Sequence, residues 1–165
     1  SENYGGIGAV MAHEIYHAFD NNGAKFDETG SFNNWWTQED LDAFNKKAQD
    51  MITLFDGVET GFGPCNGTLT VSENIADSGG VRCALEASKK QDNHNYEEFF
   101  QNWARVWRNK SSVEYIQLLL RVDVHGPSIL RANMQLSNLP EFQDFYKISQ
   151  EDKMYLAKDK MVSIW

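Results

Sequence analysis

Cysteine is nearly absent: Cys65 and Cys83 are the only two in 165 residues. One disulfide at most is possible, and neither thiol sits in a C-x-x-C or other metal-ligand spacing. A disulfide-stapled secreted scaffold is therefore not supported, and two ordinary thiols are expected. Proline is as scarce, with Pro64, Pro127 and Pro140 alone, which leaves room for long helices. No run of about 18 apolar residues occurs and mean hydropathy is −0.55, so no membrane-spanning segment is expected. No basic n-region followed by an apolar h-region opens the sequence, so no signal peptide is visible. Basic residues are outnumbered, 15 against 24 acidic ones, which gives a formal net charge of −9. A chain with that balance is a poor candidate for holding nucleic acid through its phosphates.

The acidity is uneven. Residues 1–60 carry three basic side chains, Lys25, Lys46 and Lys47, against eleven acidic ones. A solvated acidic surface explains this, and so would acids that serve a cation; composition does not choose. Hydrophobic residues make up 41% and aromatics 13%, enough to build a core in one ordinary domain.

The expected fold is mainly α with little β. Gly5-Gly6 precede a stretch from Ile7 to Phe19 that reads as a buried helix, with Ile7, Val10, Met11, Ile15 and Ala18 as its apolar positions. Asn21-Asn22-Gly23 stops it. Asp27-Glu28-Thr29-Gly30 marks a hairpin or irregular turn between Lys25 and Phe32. Thr37 followed by Asp40 is a capping signal for a helix to about Phe55. The glycines and Pro64 between Asp56 and Gly67 mark a loop. Further helices are expected over Val71–Lys90, Tyr96–Lys110, Ser112–Val122, Ser128–Gln135 and Pro140–Tyr146.

The strongest chemical signal is His13-Glu14-Ile15-Tyr16-His17, an H-E-x-x-H motif. Positions i and i+4 of a helix lie about 40° apart, so both imidazoles point one way and can reach one zinc ion. Glu14 falls about 100° from His13, near enough to take a proton from a water at the metal without being a ligand. The plain alternative is two histidines on a helix with no metal. A catalytic zinc usually takes three protein ligands, and the third is sought elsewhere. Glu73-Asn74-Ile75-Ala76-Asp77 offers two carboxylates at i and i+4. One would ligate the metal, and the other would accept the free N–H of a ligating histidine. Ser78-Gly79-Gly80 follow, and small residues let two helices approach closely.

A third stretch, Asp123-Val124-His125-Gly126-Pro127, places a histidine where a helix is expected to end. Asp123 can hold its imidazole protonated, and a donating His125 can stabilise the oxyanion formed when water adds to a peptide carbonyl. Arg131 offers a guanidinium fork for a substrate carbonyl or carboxylate. Asp20-Asn21-Asn22-Gly23 with Asp27 fails the register of a calcium loop, because Lys25 stands where the turn glycine belongs. Asn66-Gly67-Thr68 and Asn109-Lys110-Ser111 fit the N-glycosylation pattern, which is common by chance, and both are read as unmodified. Phe99, Phe100, Trp103 and Trp107 recur at helical spacing and are read as core.

These motifs together resemble the C-terminal catalytic part of the neprilysin family of zinc metallopeptidases, and among its members the bacterial oligopeptidase O type. The resemblance rests on Asn3-Tyr4-Gly5-Gly6-Ile7-Gly8 leading into His13-Glu14-x-x-His17-Ala18-Phe19-Asp20, then Trp35-Trp36, Glu73-Asn74-Ile75-Ala76-Asp77, Asp123-Val124-His125 and a final Trp165. It implies a zincin-type catalytic domain fragment over residues 1–165, with the H-E-x-x-H helix packed on a Glu-bearing helix. It implies one zinc held by His13, His17 and Glu73, with Glu14 as the general base. By the same resemblance Asp77 orients His13, while His125, supported by Asp123, stabilises the transition state. Arg131 holds the substrate backbone beyond the cut, and Val10, Val106 and Trp107 line a pocket for the hydrophobic residue that follows it. Asp20 matches a position to which no role is assigned.

The implied activity is endopeptidase cleavage of oligopeptides. The implied partners are those peptides and an N-terminal lobe, with its substrate-aligning strand, that this sequence does not contain. A cytoplasmic bacterial setting is expected, or an extracellular or membrane-anchored one if a preceding segment carries a signal or anchor. The alternative is a catalytically silent fragment that binds zinc or peptide. Against it, every residue that the chemistry requires is present.

Overall fold

The computed structural model describes residues 1–165 and consists of seven α-helices with almost no β-structure. Only two isolated antiparallel bridges occur, Phe26 with Phe32 and Glu59 with Pro64. The helices are α1 (Ala9–Tyr16), α2 (Gln38–Phe55), α3 (Gly67–Lys89), α4 (Tyr96–Val106), α5 (Val113–Val122), α6 (Ser128–Ser137) and α7 (Pro140–Tyr146). A wide π-type turn over Tyr4–Gly8 feeds α1, and a tight 3-10 turn over His17–Phe19 closes it. The mainly helical fold expected from proline scarcity and periodicity is the one observed.

Local chemistry sets most boundaries. Thr37 Oγ1 accepts from the backbone N of Asp40 at 3.1 Å and starts α2 where the capping signal placed it. Asn66 caps α3 in the same way, accepting from Leu69 N at 2.9 Å. That cap lets α3 begin at Gly67, four residues before the expected start at Val71. Conversely α4 ends at Val106 rather than Lys110, and Trp107 follows it as the capping residue. The Asp27–Gly30 turn joins Phe26 to Phe32, with Gly30 in the left-handed region at φ 77°.

α3 is the axis of the molecule. One core packs its Val81, Ala84 and Leu85 with Ala9 of α1, with Phe99, Phe100 and Trp103 of α4, and with Leu136, Leu139 and Phe142. A second core packs its Val71 and Ile75 with Phe44, Met51 and Phe55 of α2, with Leu130, and with Val162 and Ile164. Phe99, Phe100 and Trp103 are thus core as expected. Because both flanks of α3 are covered, its polar Glu73, Asn74 and Asp77 are buried too. Charged side chains in such a place must be paired or must hold a cation.

The approach of α1 to α3 depends on small residues. A Cβ on Gly80 would come within 2.7 Å of the backbone N of His13 and 2.9 Å of the Ala9 carbonyl, so no larger residue fits. The helix is therefore buried on its Ala9, Ala12 and His13 face. This overturns the expected burial pattern. Ile7, Met11 and Ile15 are 61%, 61% and 65% exposed, although they share a stripe at i, i+4 and i+8. Glycine and alanine give close approach, so the narrow face of α1 wins the contact and its bulky apolar face is left outward. α5 has no buried residue and stands outside both cores.

Candidate active site

The metal-ligand candidates come from two helices. α1 and its closing turn carry His13 and His17, and α3 carries Glu73. One donor atom from each lies within 4.8 Å of the others. His13 Nε2 stands 3.3 Å from Glu73 Oε2, and His17 Nε2 stands 3.6 Å from Glu73 Oε1. Each imidazole turns its other nitrogen to a carboxylate. His13 Nδ1 lies 2.7 Å from Asp77 Oδ1, and His17 Nδ1 lies 2.7 Å from Asp20 Oδ2. Both Nε2 atoms are thereby aimed at one point.

The set fits a zinc ion. Two nitrogens and one carboxylate oxygen are a ligand set that catalytic zinc uses. Glu73 Oε2 is buried and accepts no aligned hydrogen bond, although His13 Nε2 and His125 Nε2 stand 3.3 and 3.5 Å away, and a cation held between the carboxylate and the imidazoles would satisfy it. Three imidazoles also surround Glu73, since His125 Nε2 lies 3.5 Å from the same oxygen.

The electrostatics show how strongly this cluster is coupled. Burial disfavours the His13 cation, but the Asp77 and Glu73 carboxylates outweigh burial and raise its pKa from 6.5 to about 9. Burial likewise pushes Glu73 and Asp77 up. The His13 contact, with the His125 and His17 charges for Glu73 and Arg131 for Asp77, nonetheless holds both below the usual carboxylate range. Without metal, the raised His13 pKa contributes stability that is full below pH 6.5 and lost as pH climbs through about 9. Metal-free protein is therefore expected to melt at progressively lower temperature from pH 6.5 to 9. A melting temperature that rises over that range in chelator would contradict this.

Asp20, left without a role by the sequence, is 2% exposed and satisfied on both oxygens. Oδ2 also accepts from Ser72 Oγ at 2.6 Å, and Oδ1 accepts from the backbone N of Asn22 and Gly23. Ser72 stands beside Glu73, so α3 fixes His17 through Asp20 as well as presenting Glu73. Spacing alone does not reveal that bond. The i to i+3 relation of His17 and Asp20 was the available signal.

His125 sits just past the end of α5. Asp123 Oδ1 takes both its backbone N at 3.0 Å and its Nδ1 at 2.7 Å. Burial raises the Asp123 carboxyl, but these contacts outweigh it and hold its pKa low. Glu14 is exposed on α1 and has no side-chain partner within the chain.

Arg131 is placed differently from a free substrate clamp. It is buried, and its Nε and Nη2 each donate to Asp77 at 2.7 Å. Only Nη1 has no partner in the chain. The guanidinium also stacks on the Trp107 ring, 3.6 Å from its centroid.

A cavity of about 900 Å³ opens beside these residues, lined among others by Val106, Trp107, Ile129, Asp123, His125 and Arg131. Val10, expected with Val106 and Trp107, is not among its lining residues. It follows Ala9 by about 100° on α1 and is half-buried. Thus the structure brings His13, His17, Glu73, Asp77, His125, Asp123 and Arg131 together, with Val106 and Trp107 on the cavity wall.

The family model described as "Peptidase family M13" matches residues 1–162. A "Neutral endopeptidase" of Lactococcus lactis subsp. lactis (strain IL1403) is 54% identical over 165 residues, which is 100% of this chain and 26% of that protein. "Neprilysin" of Oryctolagus cuniculus is 34% identical over 100% of this chain and 24% of its own length. Among solved structures, PepO from Lactobacillus rhamnosis HN001 superposes with a TM-score of 0.94 at 43% identity, covering 99% of this chain and 26% of that one. The Mycobacterium tuberculosis zinc metalloprotease Zmp1, solved with an inhibitor, gives a TM-score of 0.93 at 33% identity, covering 99% and 28%. The chain spans about a quarter of the length of these relatives.

Proposed function

The chain belongs to peptidase family M13, the neprilysin family, and from that footing we propose that it is the metal-holding catalytic part of a longer zinc endopeptidase acting on oligopeptides. One observation carries the reading. His13 Nε2, His17 Nε2 and the Glu73 carboxylate, whose buried Oε2 accepts no aligned hydrogen bond, converge while carboxylates hold the far side of each imidazole. The relatives named endopeptidase and zinc metalloprotease support it.

His13, His17 and Glu73 would hold the zinc. Bound there, zinc supplies a Lewis acid that lowers the pKa of a water toward about 7 and polarises a peptide carbonyl. Glu14, exposed and uncommitted, accepts the proton of the attacking water and delivers it to the departing amine. His125, braced by Asp123, donates from Nε2 to the oxygen that gains negative charge. Arg131 has Nη1 free for a substrate carbonyl while Asp77 engages Nε and Nη2. Val106, Trp107 and Ile129 give the cavity an apolar wall, which suits a hydrophobic residue after the cut.

The outward stripe of Ile7, Met11 and Ile15 is covered, in this proposal, by the remaining part of the polypeptide. The test is cleavage of a fluorogenic peptide by the complete polypeptide, with and without chelator. Metal-dependent cleavage on the amino side of a large apolar residue is expected. Peptide binding with no hydrolysis in zinc-loaded protein would favour the silent binding module instead.

A further inference from the structure

Trp107 lines the cavity, but its contacts reach past it. Its ring covers one face of the Arg131 guanidinium at 3.6 Å. Trp103, one helical turn earlier, meets Trp107 edge-on at 5.3 Å and donates from Nε1 to the Arg131 carbonyl at 3.0 Å. The end of α4 thus holds Arg131 twice, by its backbone and by its plane. The edge of that plane is engaged by Asp77, which accepts from Nε and Nη2 at 2.7 Å each. Asp77 Oδ1, the oxygen that takes the Nη2 bond, is also 2.7 Å from His13 Nδ1. One carboxylate oxygen therefore links the arginine to a metal-ligand candidate.

A planar cation bonded only along its edge can still tilt, and a tilt would carry the shared oxygen with it. A ring stacked on its face removes that freedom. The Trp107 indole does so at a cost, because its Nε1 is buried without a hydrogen-bond partner.

We propose that Trp107 is a positioning residue for the metal centre, acting through Arg131 and Asp77 to fix the imidazole of His13. This rests on the reading above, that His13, His17 and Glu73 hold zinc. The aromatic face supplies the effect, so a ring should preserve it and an aliphatic side chain should not.

The experiment uses zinc-loaded complete polypeptide and follows zinc transfer to a chromophoric chelator, 4-(2-pyridylazo)resorcinol. Trp107→Leu should release zinc about tenfold faster than wild type, at the low end of losses seen when a ligand's supporting partner is removed. Trp107→Phe should stay within about threefold, since a smaller ring still covers the cation. Should Trp107→Leu fail to fold, Trp107→Met replaces it with the same expectation. If Trp107 serves only as cavity wall, Leu and Phe would alter KM and the preference for the residue after the cut while zinc release stayed at the wild-type rate. That outcome overturns the inference and leaves the proposed function standing. Equal acceleration by Leu and Phe overturns it too, because the ring face would then be irrelevant. Wild-type protein that binds no zinc would overturn the proposed function and this inference together.

Discussion

Replacing Glu14 with glutamine is expected to leave zinc in place and to slow peptide hydrolysis by roughly 10²–10⁴-fold, the range spanned by general acid–base catalysis. The expectation comes from how the α1 residues divide their work. His13 and His17 turn Nδ1 to Asp77 and Asp20, and their Nε2 atoms converge on Glu73. Glu14 takes no part in that bonding and is exposed beside it. The amide has the same shape but cannot accept the proton of the attacking water. The change should fall on kcat, with substrate affinity and zinc content near wild type. Steady-state kinetics of the complete polypeptide, with metal content of the same sample, provide the check. Turnover retained in zinc-loaded Glu14→Gln would remove Glu14 from the mechanism.

Asp77→Ala is expected to damage both stability and metal binding. Asp77 is 1% exposed and is the counter-charge of the buried Arg131. Removing it strands a guanidinium, and breaking a buried pair from one side typically costs about 3–5 kcal/mol. It also frees His13 Nδ1, and losing such a support commonly weakens metal affinity by roughly 10–100-fold. The two effects separate in a second variant. Asp77→Ala combined with Arg131→Met removes the unpaired charge, so part of the lost stability should return. Zinc affinity should remain low, because His13 still lacks its partner. Denaturant unfolding of metal-free protein and competitive zinc titration measure the two separately. Recovery of both in the double variant would show that Asp77 acts on the metal only through overall stability.

The candidate ligand set was legible in part because it is built on helix period, although spacing leaves Glu73 and Asp77 interchangeable and the family resemblance chooses Glu73. His13 with His17, and Glu73 with Asp77, are i, i+4 pairs, and such pairs share a face whatever surrounds them. Capping was legible for a similar reason: the Thr37 bond to Asp40 is local. Loop-like composition up to Gly67 places the α3 start near Val71, whereas the Asn66 side chain opens the helix at Gly67. The buried face of α1 differs from the expected one for another reason. Periodicity shows that Ile7, Met11 and Ile15 form a stripe but not what lies opposite it. Close approach of the Ala9 and His13 backbone to Gly80 decides the packing. Long-range bonds were beyond local reasoning altogether. Nothing near Arg131 in sequence announces Asp77, 54 residues away, or the Trp107 ring.

The proposed role of His13, His17 and Glu73 is to hold one zinc ion on which hydrolysis depends. Its most direct test is the zinc-to-protein ratio, by plasma mass spectrometry, of folded wild type and Glu73→Ala prepared side by side. Wild type should carry about one zinc per chain and the variant almost none, because its two histidines alone make too open a site. Equal zinc in the two proteins, or none in wild type saturated with the metal, would contradict it.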